Sequence, residues 1–144
     1  MIIRFKSVLL MLLCVCSMTQ SLAHAVALQA VSTREVDGQI EVVIAVDEQT
    51  EHTMFALTNP DRWVIDLPNV NNASTVQWPA QSTLPNLLTN VRGASRGEQG
   101  WRVVLDLPEA MPADSFWMLD QLVLRLGDAT VAKATPAVAP PVQP

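Results

Sequence analysis

Ile40-Glu41-Val42-Val43-Ile44-Ala45-Val46 places Ile40, Val42, Ile44 and Val46 at every second position. Successive side chains of a strand point to opposite faces, so this spacing predicts a β-strand with one buried side. Sixty-one residues on, Trp101-Arg102-Val103-Val104-Leu105-Asp106-Leu107 repeats the alternation, with Arg102 and Asp106 in outward positions as Glu41 is in the first. Val43 and Val104 fall at matching outward positions, so those faces are expected to be only partly wet.

The correspondence continues downstream. Phe55-Ala56-Leu57 matches Phe116-Trp117-Met118 at the same offset, and Trp63-Val64-Ile65-Asp66-Leu67 matches Leu122-Val123-Leu124-Arg125-Leu126 at an offset of 59. In the first copy Thr58-Asn59-Pro60-Asp61 forms the connecting turn: proline fixes φ, while Asn and Asp can satisfy nearby backbone donors. Ala27–Thr33 and Leu88–Ala94 are candidate strands ahead of each copy. Val36-Asp37-Gly38-Gln39 and Arg96-Gly97-Glu98-Gln99-Gly100 supply the turns into the strong strands. The chain therefore contains a duplication of strand, connection, short strand, turn and strand.

No window sustains a 3.6-residue period, and Pro68, Pro79, Pro85, Pro108 and Pro112 interrupt the alternatives. Two equivalent halves of about four strands each can hide their apolar faces by packing together. The expected fold is all-β: a β-sandwich of two symmetry-related sheets of about four strands each. Asn69–Asn86 leaves two readings open, a strand around Ser74–Trp78 or a plain crossover between the halves.

The flanks differ in composition. Arg4 and Lys6 precede an apolar run, Val8–Cys16, and Ala23-His24-Ala25 closes the segment, which reads as a secretory signal peptide over residues 1–25. The run is shorter than the roughly 20 apolar residues a membrane span needs, so no span is expected after its removal. Cys14 and Cys16 would leave with it, and with them any disulfide or thiolate ligand. Export without disulfides favours a bacterial periplasm. Residues 129–144 are rich in Ala and Pro and read as a linker in extended, polyproline-like form. Such a linker makes the chain the front part of a larger protein or a truncated product; an ordinary frayed terminus is the other reading. The folding unit is then residues 26–128.

The formal charge is −5, and becomes −7 once Arg4 and Lys6 are gone. An acidic domain repels nucleic acid and anionic lipid, so neither is an expected partner. His52 is the only histidine outside the leader, and the chain has no tyrosine. A His-rich zinc site cannot be built from that inventory, and no nucleophile elbow or glycine-rich phosphate cradle is present. Lys133 lies in the linker, which removes a Ser-Lys catalyst from the sandwich. The chain reads as non-catalytic, with no metal and no cofactor of its own, and His52 as an ordinary strand or turn residue.

What remains for binding is arginine and tryptophan. Arg92, Arg96 and Arg102 crowd into 11 residues of a body with six arginines. Guanidinium groups hold carboxylates bidentately and planar aromatics cover sugar faces, so such a patch suits a polymer of sugars and acidic peptides. Arg62 opens the Trp63–Leu67 strand with the parity of Asp66, and a pairing across neighbouring strands is expected for them. Trp63 and Trp101 share parity with the apolar faces and are assigned to the core. Trp117, opposite in parity to Phe116 and Met118, is the candidate exposed aromatic.

Phe55-Ala56-Leu57 followed by Asn59-Pro60-Asp61-Arg62-Trp63-Val64-Ile65-Asp66-Leu67-Pro68-Asn69 resembles the most recognisable segment of the AMIN domain. Val91-Arg92 followed by Arg102–Leu107 supports the likeness, which covers nearly all of Ala27–Asp128. With a leader in front and a Pro-rich linker behind, the chain resembles the N-terminal part of a periplasmic N-acetylmuramoyl-L-alanine amidase of the cell-division type. The resemblance implies a peptidoglycan-binding module of two symmetry-related four-stranded sheets that brings the enzyme to the cell wall or septum. It places zinc only in a catalytic domain beyond the linker. The family also stands at the front of type IV pilus secretins, so docking to divisome or pilus-assembly proteins is the alternative. The motif residues Asn59, Pro60, Asp61, Arg62, Trp63 and Asp66 mainly report fold.

Overall fold

The computed structural model describes residues 25–127 apart from residue 74. The assigned leader, apart from Ala25, and the linker therefore lie outside the described residues. Among the described residues nine strands run in chain order: β1 (Val26–Val36), β2 (Gln39–Val46), β3 (Thr53–Leu57), β4 (Arg62–Leu67), β5 (Val70–Asn72), β6 (Asn90–Ser95), β7 (Trp101–Asp106), β8 (Ala113–Met118) and β9 (Gln121–Leu126). The only helical pieces among the described residues are single 3-10 turns at Gln81–Thr83 and Gly97–Gln99.

The strands form two sheets, β5-β1-β2-β9-β8 and β3-β4-β7-β6. This is the expected sandwich, but neither copy of the duplication makes a sheet by itself. The first copy gives hairpin β1-β2 to one sheet and β3-β4 to the other; the second gives β6-β7 and β8-β9 in the reverse sense. A lone two-stranded hairpin is marginal in water. Pairing β2 with β9 and β4 with β7, both antiparallel, converts four hairpins into two sheets with satisfied interior strands. The repeat therefore interlocks rather than stacking one half on the other.

The inward rows are those read from the alternation. Val42, Ile44, Ile65, Val103, Leu105, Leu122, Leu124 and Leu126 have no measurable exposure and form one core. Trp63 and Trp101 pack against it while partly buried, and the Trp63 indole donates to the Met111 carbonyl at 3.0 Å. The outward valines are drier than expected: Val43, Val64, Val104 and Val123 are all buried. They occupy the middle of each outer face, where long neighbouring side chains lay their aliphatic stems over apolar surface.

Between the copies the segment Asn69–Asn86 matches neither open reading in full: it is not a plain crossover, and its strand is not where it was expected. β5 pairs parallel with the start of β1, and Gln77 adds one further parallel bridge to Ala30. The strand thus falls at Val70–Asn72 rather than around Ser74–Trp78. Trp78 then crosses to the other sheet and lies under Gly93 of β6, where an added Cβ would come within 2.7 Å of the indole. Glycine at 93 is what lets the ring approach.

Candidate functional site

Residues in register share a face, so the ladder of the second sheet places its outward side chains. Asp66 stands beside Arg102, Val64 beside Phe55 and Val104, and Arg62 beside Leu57 and Asp106. Arg92 pairs in register with Val104 on the far side. Arg62, Arg92 and Arg102 therefore emerge on one outer face, and Arg96 joins them from the β6-β7 turn.

Two clusters organise this face. Arg102 donates to both oxygens of Asp66, at 2.7 and 2.8 Å, and Arg96 donates to the same carboxylate at 2.9 Å. Arg96 also reaches the Gln99 amide oxygen at 2.8 Å, and the Arg102 guanidinium lies 5.5 Å from the centre of the Phe55 ring. In the second cluster Arg92 clasps Asp106 through two hydrogen bonds, 2.9 and 3.1 Å. Arg62, in register with Asp106, donates to the Pro60 carbonyl at 3.3 Å. Of the pairings across neighbouring strands expected for Arg62 and Asp66, Asp66 makes one, to Arg102 of β7, whereas Arg62 turns to the Pro60 carbonyl. Hydrogen bonding to Asp66 and to Asp106 raises the pKa of Arg102 and of Arg92, so both stay charged.

Trp117 is not on this face and is not the exposed aromatic. It pairs with Leu122 on the inner side of β8 and packs against the core. The parity contrast with Phe116 and Met118 is real, but the core-facing leucines of β9 decide which parity points inward. Phe116 takes the outward position, with the Arg125 guanidinium 5.0 Å from its ring centre. The exposed ring of the arginine face is Phe55, missed in the sequence, although its correspondence with Phe116 in the duplication was the available signal.

The first sheet carries a related outer arrangement. Glu41 accepts from Arg34 at 2.8 Å and from Arg125 at 2.8 and 3.2 Å. Sequence parity put Glu41 on a solvated face, yet its side chain is only 2% exposed. Burial pushes its pKa up, but the hydrogen bonds from Arg125 and Arg34 outweigh this and hold it below 4.5. Glu41 and Arg102 are equivalent in the duplication, as are Arg125 and Asp66, so the two sheets hold the same central ion pair with opposite polarity.

His52 joins the sheets at one edge. Its Nε2 lies 3.1 Å from Ser115 Oγ, and its ring meets Trp117 edge-on at 5.9 Å. Desolvation lowers its pKa below 6.5, so the fold favours the neutral ring. A lowered base contributes stability above the unfolded pKa and loses it as pH falls through the folded value. The midpoint of urea unfolding should therefore fall from pH 7 to pH 5, and His52→Gln should flatten that part of the profile.

Among the described residues no group of three His, Cys, Asp or Glu could hold a metal ion, and no helix is long and apolar enough to cross a membrane. Comparison with curated proteins returns no match. A comparison with protein-family models matches the AMIN domain over residues 30–126, which spans β2 to β9 and most of β1. On that match the chain belongs to the AMIN domain family, and AMIN is a targeting domain.

Proposed function

We propose that this chain is a peptidoglycan-binding localisation domain, carried to the periplasm by the leader at residues 1–25. In this reading it holds a zinc-dependent N-acetylmuramoyl-L-alanine amidase at the cell wall or division septum through a linker at residues 129–144. Zinc, in this reading, belongs to that catalytic partner. The observation that carries the reading is the gathering of Arg62, Arg92, Arg96 and Arg102 on one sheet face of an AMIN domain. In a chain of net charge −5, that face gives an anionic wall polymer a local attraction the molecule as a whole lacks.

The test is cosedimentation of the full chain with purified sacculi. Binding is expected at low ionic strength and should weaken severalfold at several hundred millimolar salt, where the Debye length shrinks to a few ångströms. Absence of pelleting by folded protein at low salt overturns the reading.

Docking to a divisome or pilus-assembly protein has one observation in its favour. Phe55 and Leu57 are exposed on β3, an edge strand of the second sheet. An edge with apolar side chains can accept a partner strand. Normal localisation by a chain that ignores sacculi, with loss on Leu57→Lys, favours this alternative.

A further inference from the structure

The duplication builds two outer faces, and their charges differ. On the first sheet Arg34, Glu41, Arg125 and Asp114 form one continuous register row, two cations against two anions. On the second, the outward strand positions carry Arg62, Arg92 and Arg102 against Asp66 and Asp106, with Arg96 added from the β6-β7 turn. Asp66 is shared between Arg96 and Arg102, while Asp106 is clasped by Arg92 alone, with Arg62 beside it in register but bonded instead to the Pro60 carbonyl, so each cluster has one arginine more than it has aspartates. The clusters are four residues apart along β4 and β7, or about 13 Å at ~3.3 Å per residue. Between them runs the row Phe55-Val64-Val104, closed by Arg92 on β6; its two valines are buried and Phe55 is 36% exposed.

We infer that this face recognises the acidic stem peptides of peptidoglycan rather than its glycan backbone. The inference rests on the peptidoglycan reading above and names the part of the polymer that is held. Glycan hydroxyls and acetamido groups are neutral and gain little from two cationic centres, whereas stem peptides carry free carboxylates. An extended peptide advances ~3.3–3.6 Å per residue, so carboxylates about four residues apart can reach both centres together. Its intervening aliphatic side chains then lie against the exposed Phe55 ring. Arg92 is the guanidinium best placed for capture: its side chain is 50% exposed while Asp106 fixes its orientation. Arg62 adds donors beside it, engaging only the Pro60 carbonyl among the described residues. A preset guanidinium loses little freedom on meeting a carboxylate, which favours binding.

The experiment compares the full chain on intact sacculi, on the same sacculi stripped of stem peptides by an amidase, and on intact sacculi with soluble stem peptide as competitor. Stripping should lower the bound fraction at least tenfold, and free stem peptide should displace the protein. Arg62→Gln with Arg92→Gln should lose binding to intact sacculi by a similar factor while keeping the wild-type tryptophan emission. Undiminished binding to stripped glycan overturns this inference and leaves peptidoglycan binding standing. Binding to neither material overturns both. The competition arm uses unaltered protein, so the result does not depend on the variant folding.

Discussion

Glu41→Ala should destabilise the domain by about 3 kcal/mol, among the largest losses available from a single charged residue here. Breaking a buried ion pair by removing one partner costs about 3–5 kcal/mol, because the surviving charge is left uncompensated. The low end applies because Arg34 and Arg125 remain 42% and 33% exposed and can turn toward water. For a domain of this size the thermal midpoint should fall on the order of 15 °C. Glu41→Gln keeps the shape and part of the hydrogen bonding, and should cost roughly half as much. The pH dependence separates charge from packing. Glu41 has a folded pKa below its ordinary 4.5, so its contribution is present above that value and lost as pH falls through the folded pKa. The gap between wild type and Glu41→Gln, followed by urea unfolding, should narrow on acidification below pH 4.5. A constant gap would mean that the carboxylate acts by packing alone.

Gly100→Ala should cost about 3–5 kcal/mol, as much as opening a cavity in the core. Gly100 sits at φ 84° and ψ −144°, a region that is essentially glycine-only and costs other residues about 1–3 kcal/mol. A Cβ there would also lie 2.7 Å from the Pro68 backbone and closer still to the Leu67 carbonyl oxygen. The end of β4 would have to move, and with it the register of Leu67 against Trp101. Gly97 is the control. It too has positive φ, 63°, but an added Cβ meets nothing within 4 Å, so Gly97→Ala should cost only about 1–2 kcal/mol. Equal losses for the two variants in chemical denaturation would show that the approach to β4 is not what matters.

These variants bear on function because the arginine face is only as well ordered as the sheet beneath it. Arg96 and Arg102 lie on either side of Gly100, and both converge on Asp66 near the end of β4. A shift at Gly100 would therefore loosen one of the two cationic centres. Weakened attachment to sacculi by a folded Gly100→Ala protein is the expected companion result.

The alternating rows Ile40–Val46 and Trp101–Leu107, the turns and the duplication were all legible as local pattern. A two-residue period and turn chemistry depend on sequence neighbours alone, and they led to the sandwich and its core. The four arginines were also legible as candidates, by type and spacing. Their partners were not. Asp66 meets Arg96 and Arg102 across 30 and 36 residues, and Glu41 meets Arg125 across 84. Such pairs exist only once β4 lies on β7 and β2 on β9. Trp117 shows the same limit: alternation separates it from Phe116, but only the leucines of β9 decide which of the two faces the core.

By itself, then, the sequence determined that this is a duplicated all-β domain of the AMIN family, because side-chain period and motif are properties of contiguous residues. Tertiary structure alone decided that the copies interlock, that Glu41 is buried, and that one outer face keeps an excess of positive charge. Each of these depends on which strands become neighbours, and that is settled by long-range pairing between segments the chain holds far apart.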